Sequence, residues 1–226
     1  MGWWKSRRLR FLTSSVVALF ALFVVMRAVF FAFFSEVGDT VQADSGDLYH
    51  ALGVGLRFDL RLALLMVLPL AVLAWLPRFN LVRSAPVRVL GLVYITLAVL
   101  AVVLTYILDF GHYVYLGDRL NVTAFRFLED TAISTRMIWE SYPVVWITLG
   151  WLAVTAVMAL IFRALARRFL LRAPMPMGTA SKVIGGVVVL LVLVFGLLGR
   201  VSDINFENPV PLRWSDAFAS GNNAVA

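Results

Sequence analysis

Two polar groups in this 226-residue chain have the residue types and spacing to hold an anion. The first is Arg57-Phe-Asp-Leu-Arg61. Arg57 and Arg61 are four apart, so on a helix they share one face. Two guanidinium groups so placed repel each other unless an anion or several carboxylates accompany them. The guanidinium fork matches phosphate oxygens in a bidentate way. Asp59 points elsewhere on the same helix and does not neutralise both. The competing reading is interfacial anchoring, with Asp partners in nearby loops. The second group is Asp109-Phe-Gly-His-Tyr-Val-Tyr-Leu-Gly-Asp-Arg-Leu-Asn121. If helical, Asp109, His112, Tyr115 and Arg119 step by three, three and four along one stripe. Carboxylate, imidazole, phenol and guanidinium in one row suit a lipid headgroup. A hydrogen-bonded brace at a membrane surface would use the same residues. Brought together, Arg57, Arg61, Asp109, His112, Tyr115 and Arg119 would form one outer-leaflet pocket for an anionic headgroup.

Other chemistry is poorly served. The chain has 2 histidines, His50 and His112, and 0 cysteines. That excludes disulfides, thiolate metal sites and Cys nucleophiles, and no His-rich metal spacing occurs. No nucleophile elbow, P-loop, dinucleotide fingerprint or kinase signature is present. No catalytic residue, metal ligand or cofactor is assigned to this chain.

The elements that must position these residues are membrane helices. The sequence is 62% hydrophobic and only 15% charged, with mean hydropathy +0.89. A soluble domain is nearer half apolar and a quarter charged. Apolar segments predict five spans, at about Phe11 to Phe34, Phe58 to Leu76, Val87 to Leu108, Tyr142 to Phe162 and Val183 to Leu198. The fold expected is all-α, with short amphipathic helices in the outer interface over 109–141. Pro69 predicts a kink in the second span. Pro143 suits the first turn of the fourth. Trp139, Tyr142 and Trp146 mark an aromatic belt. Arg27 lies inside the first span. It either snorkels to the interface or faces the bundle, as partner to a carboxylate or a lipid phosphate.

Charge sets the expected topology. Lys5, Arg7, Arg8, Arg10, Arg78, Arg83, Arg88, Arg163, Arg167, Arg168, Arg172 and Lys182 fall in segments with no Asp or Glu. All 13 acidic residues fall in the other set. Lys and Arg beside membrane segments stay in the cytoplasm. The expectation is a multi-pass protein of the inner (cytoplasmic) membrane, N-terminus cytoplasmic and C-terminus periplasmic. The +7 net charge is explained by this rule and is not a nucleic-acid signal.

Four stretches carry a resemblance. Gly-Leu-Arg-Phe-Asp (55–59), the segment 109–121, Trp-Glu-Ser-Tyr-Pro (139–143) and Pro-Leu-Arg-Trp-Ser-Asp-Ala-Phe (211–218) occur in order. They resemble the membrane portion of the lipoteichoic acid synthase family, in particular its Gram-negative, sulfatase-like phosphoglycerol transferases. The resemblance covers essentially the whole chain and includes the five-span layout. It implies an extracytoplasmic domain of the alkaline phosphatase and sulfatase superfamily following the last span. That domain would hold a threonine nucleophile and a divalent metal, usually manganese, and move glycerol phosphate from phosphatidylglycerol to an acceptor. None of those residues maps onto this chain. The expected organisation is therefore a five-helix membrane domain over 1–199 and an extracytoplasmic linker over 200–226, truncated before a catalytic domain. Alone it is expected to be inactive. The expected partners are the bilayer, anionic phospholipid such as phosphatidylglycerol, and that catalytic domain. A standalone scaffold for cell-envelope proteins is the alternative. A transporter ranks third, because charges deep in several spans are lacking.

Overall fold

Long runs of Leu, Val, Ala and Phe fold here into helices. The structure, a computed structural model, describes residues 7–34, 45–75, 81–82, 84–116 and 138–171. Four helices run through them: α1 (Arg7–Phe34), α2 (Ser45–Trp75), α3 (Ala85–Leu116) and α4 (Val144–Leu170). Residues 138–141 add a helical turn, and no strand occurs among the described residues.

Three stretches are long and apolar enough to cross a membrane: Arg7–Phe33, Ala85–Val114 and Val144–Leu170, of 27, 30 and 27 residues. At 1.5 Å per residue each exceeds the roughly 30 Å hydrocarbon core of a bilayer. Their outward faces are apolar: Val17, Val25, Leu97, Leu149 and Leu160 are all exposed. Water would not tolerate so much contiguous apolar surface. Among the described residues the secondary structure is all helical, and the three apolar helices mark a membrane-embedded protein.

The second expected span lies within α2, whose apolar run is interrupted by Arg57, Asp59 and Arg61. These charges set it apart from the other three helices. The fifth expected span, the inner loop before it and the 200–226 tail lie outside the described residues. So does most of the expected interfacial segment, from 117 to 137.

Helix ends differ from the sequence expectation in three places. α2 begins at Ser45 rather than near Phe58. It therefore absorbs part of the acidic segment and continues through Pro69. α3 does not stop at Leu108 but runs on through Asp109 and His112 to Leu116. α4 begins directly after Pro143 but runs past Phe162 to Leu170, through Arg163, Arg167 and Arg168. Each extension has one reason. Polar residues beside a membrane do not end a helix unless a breaker follows, because the backbone bonds are made within the helix whatever the side chain.

The chain divides into two compact units, one of residues 1–91 and 163–226, the other of residues 92–162. In the first, α1 and α2 run antiparallel. Arg8 at the start of α1 reaches Ala74 near the end of α2, and Arg27 reaches Asp59. The seam on α1 is Leu12, Ser15, Leu19, Phe23 and Phe30, at helical spacing. On α2 it is Gly55, Asp59, Ala63, Val67, Leu70 and Ala74, all buried. Small residues at three of these six positions, Gly55, Ala63 and Ala74, permit close backbone approach. Gly91 completes this unit's packing. A Cβ there would lie 3.1 Å from Leu70 and 3.2 Å from Leu81.

In the second unit, α3 and α4 are also antiparallel. The Trp151 indole Nε1 donates to the Leu100 carbonyl at 2.8 Å. The Tyr142 hydroxyl donates to the Gly111 carbonyl at 3.3 Å. Ile95, Val99 and Val103 form the buried stripe of α3 in this unit.

Candidate functional site

α2 carries three charged residues within five positions, and its geometry sorts them. Successive residues on a helix turn by about 100°, so Arg57 and Arg61 both lie roughly on the side opposite Asp59. Asp59 is completely buried at 0% exposure. Arg57 is exposed and Arg61 half-buried.

Asp59 faces α1 and meets Arg27 there. The Arg27 Nε donates to Asp59 Oδ2 at 2.8 Å, and Nη2 donates to Oδ1 at 2.8 Å. This is the bidentate fork that a planar guanidinium makes with a carboxylate. Nη2 also donates to the Gly55 carbonyl at 3.1 Å. That carbonyl sits one turn before Asp59, and an oxygen with two lone pairs serves both the helix and the arginine. Of the two readings of Arg27, the carboxylate partner is the one the fold adopts.

Gly55 is what makes room. A Cβ built there would overlap the Arg27 Nη1 and lie 2.6 Å from its Cζ. To admit it the guanidinium would have to move out of its hydrogen bonds to Asp59 and to the Gly55 carbonyl. Gly55 and Asp59, four apart on one face, thus form a cradle: one supplies space and a carbonyl, the other the counter-charge.

With both Asp59 oxygens engaged, the two arginines on the far side of α2 keep their charge. Arg57 makes no ion pair among the described residues. The Arg61 guanidinium lies over the Phe58 ring, 5.4 Å from its centroid. That contact contributes about 0.5–1 kcal/mol at an exposed site and does not neutralise charge.

The remaining residues of the expected pocket are placed as follows. Asp109 and His112 lie one turn apart on α3, both half-buried, in the second unit. Arg57 and Arg61 belong to the first. Tyr115 is on the last turn of α3 by its backbone, and its side chain lies outside the described residues, as does all of Arg119. Among the described residues no group of three or more His, Cys, Asp or Glu could hold a metal ion.

The Arg27–Asp59 pairing escaped the sequence reading. Its signal was nonetheless present: a lone arginine within an apolar span requires a counter-charge, and Gly55-x-x-x-Asp59 places space and carboxylate on one helix face. No protein-family model, curated protein or solved structure matches the chain.

Proposed function

We propose that this chain is the membrane domain of a sulfatase-like phosphoglycerol transferase of the lipoteichoic acid synthase type. It anchors the enzyme, presents a catalytic domain to the outer leaflet and recognises an anionic phospholipid such as phosphatidylglycerol through Arg57 and Arg61. Five spans, a cytoplasmic N-terminus and a periplasmic C-terminus belong to this reading, supported by the charge partition along the sequence.

One observation carries the lipid role. Asp59, the carboxylate nearest in sequence to Arg57 and Arg61, lies on the opposite side of α2 from them and gives both its oxygens to Arg27. Among the described residues, no carboxylate accompanies the two arginines on their side of α2. A phosphate is the anion a membrane supplies. Residues 55–59, which include Arg57 and Asp59 but not Arg61, form one of the four stretches that carry the family resemblance. The clamp fixes the angle of α2, and with it the direction in which the arginine pair points.

Native mass spectrometry of the purified chain with phosphatidylglycerol and with a zwitterionic lipid tests the binding role. Arg57→Ala or Arg61→Ala is expected to weaken phosphatidylglycerol binding about tenfold, the loss of one charge-assisted contact. Equal binding of both lipids by the unaltered chain would end that role. Reporter fusions at Pro174 and Ala226 test the topology, with cytoplasmic and external signals expected respectively. A reading frame beyond Ala226 that encodes no α/β phosphatase-like domain would favour the scaffold alternative.

A further inference from the structure

We infer that the α2 flank of the first unit thins the bilayer, holding phospholipid headgroups at the height of the Arg27–Asp59 clamp, while the α1 flank keeps the leaflet at full depth. The partner is the lipid surface itself. Arg57 and Arg61 meet headgroups here as in the proposed function, but no preference for an anionic lipid is required.

The clamp sets the heights. Arg27 holds Asp59 through two bonds of 2.8 Å, so these residues mark one level on the antiparallel pair, to within about one turn of helix. Two residues to either side of each, about 3 Å along the axis, the helices differ. On α2 those neighbours are Arg57 and Arg61, and on α1 they are Val25 and Val29. Arg57 is exposed, and so are Val25 at 59% and Val29 at 57%. At one depth, one flank of the hairpin turns valine outward and the other turns arginine.

A flat bilayer cannot suit both flanks. Beyond Arg27, residues 28–34 of α1 carry no charge and rise about 10 Å further. Phe31 and Phe33 are exposed there, and such surface belongs in hydrocarbon. From Phe11 to Phe34 the α1 run, broken only by Arg27, rises about 36 Å. The charge-free run of α2 from Leu62 to Trp75 rises about 21 Å. The hydrocarbon core of a bilayer is roughly 30 Å thick. A stretch longer than the core tilts or thickens the bilayer, and a shorter one thins it or relies on snorkelling.

Snorkelling recovers little here. The Arg61 guanidinium reaches back over the Phe58 ring, 5.4 Å from its centroid, which lifts its charge only to the level of Asp59. Sliding α2 outward along α1 would separate Asp59 from Arg27. The lipid yields instead, because charged side chains held at depth draw headgroups and water down to them.

With 0 cysteines in the chain, single spin labels can be placed cleanly. Labels at A21C and L65C report the two flanks. Both positions are exposed, and each lies six residues from its clamp residue toward the same end of the hairpin. The full chain is placed in zwitterionic phosphatidylcholine nanodiscs, and label depth is read from collision rates with oxygen and with a water-soluble nickel complex. L65C is expected to lie at least about 5 Å shallower than A21C, some half of the roughly 9 Å by which the α2 run falls short of the core. In R57Q/R61Q that difference is expected to fall by more than half. A smaller initial difference overturns the thinned flank. So does one that keeps more than half of its size in R57Q/R61Q, which would reflect tilt alone. An L65C label that neither probe reaches also overturns it, by showing that another part of the chain covers α2. Should R57Q/R61Q fail to fold, the exposed Arg57 alone decides: a smaller difference in R57Q supports the thinning and an unchanged one overturns it. The lipid is zwitterionic, so a chain that binds phosphatidylglycerol no better than other lipids can still pass, and the two readings fail separately.

Discussion

Arg27 and Asp59, 32 residues apart in sequence, meet through two parallel hydrogen bonds of 2.8 Å each, with the carboxylate wholly buried and the arginine side chain 15% exposed. Two helices of otherwise apolar seam are thereby joined at one polar point. Packing alone would allow α1 and α2 to slide or rotate by a turn. The ion pair admits one register, because only there do fork and carboxylate coincide.

Removing one partner leaves the other buried and charged. Arg27→Leu or Asp59→Leu is expected to destabilise the protein by about 3–5 kcal/mol, whereas the double substitution should recover much of that loss. Thermal unfolding of the four proteins in detergent, assembled as a double-mutant cycle, measures it. Additive losses would show that the two residues do not interact.

Gly55→Ala carries a sign change. In a helix, alanine is ordinarily favoured over glycine by about 0.5–1 kcal/mol. Here the added methyl meets the pinned guanidinium, so the substitution should lower the melting temperature. In an Arg27→Leu background the obstruction is gone, and Gly55→Ala should raise it. The same sign in both backgrounds would refute the cradle.

Trp151 provides a prediction within the second unit. Its indole nitrogen is bonded to the Leu100 carbonyl at 2.8 Å. Trp151→Phe keeps an aromatic ring and removes the donor. A loss of about 0.5–1.5 kcal/mol is expected, the range for one neutral hydrogen bond. Comparison with Trp146→Phe, at a residue 75% exposed, supplies the control, which should leave the melting temperature unchanged.

Arg8 closes the end of α2 by donating to the Ala74 carbonyl at 2.6 Å. A cation at a helix C-terminus contributes about 0.3–1 kcal/mol, and up to roughly 2 when partly buried. Arg8→Gln should destabilise by an amount in that range and Arg8→Lys by less. Unfolding in detergent at two ionic strengths checks this, because a partly buried cap should resist screening.

Much of the architecture could be read from the chain. Long apolar runs announced α1, α3 and α4, and Pro143 marked where α4 starts. Arg27 stood out because nothing else in its span was charged. Its partner was missed because Asp59 was placed at the mouth of a helix starting near residue 58. With α2 beginning at Ser45, Asp59 lies near mid-helix, at a depth where pairing across an antiparallel hairpin becomes necessary. Side-chain patterns report faces well and ends poorly.

The contacts made by Arg7 and Arg8 impose an order on biogenesis. A chain is made from its N-terminus, yet the acceptor of Arg8 lies 66 residues downstream and that of Arg7 lies 163 downstream. The Arg27–Asp59 pair can close as soon as α2 has been synthesised. The latch at Arg7 must wait until α4 is complete. Both ends of the first hairpin can thus be fastened once α2 is made, through Arg27–Asp59 and Arg8–Ala74, while the Arg7 bond closes only on the last residue of the fourth helix.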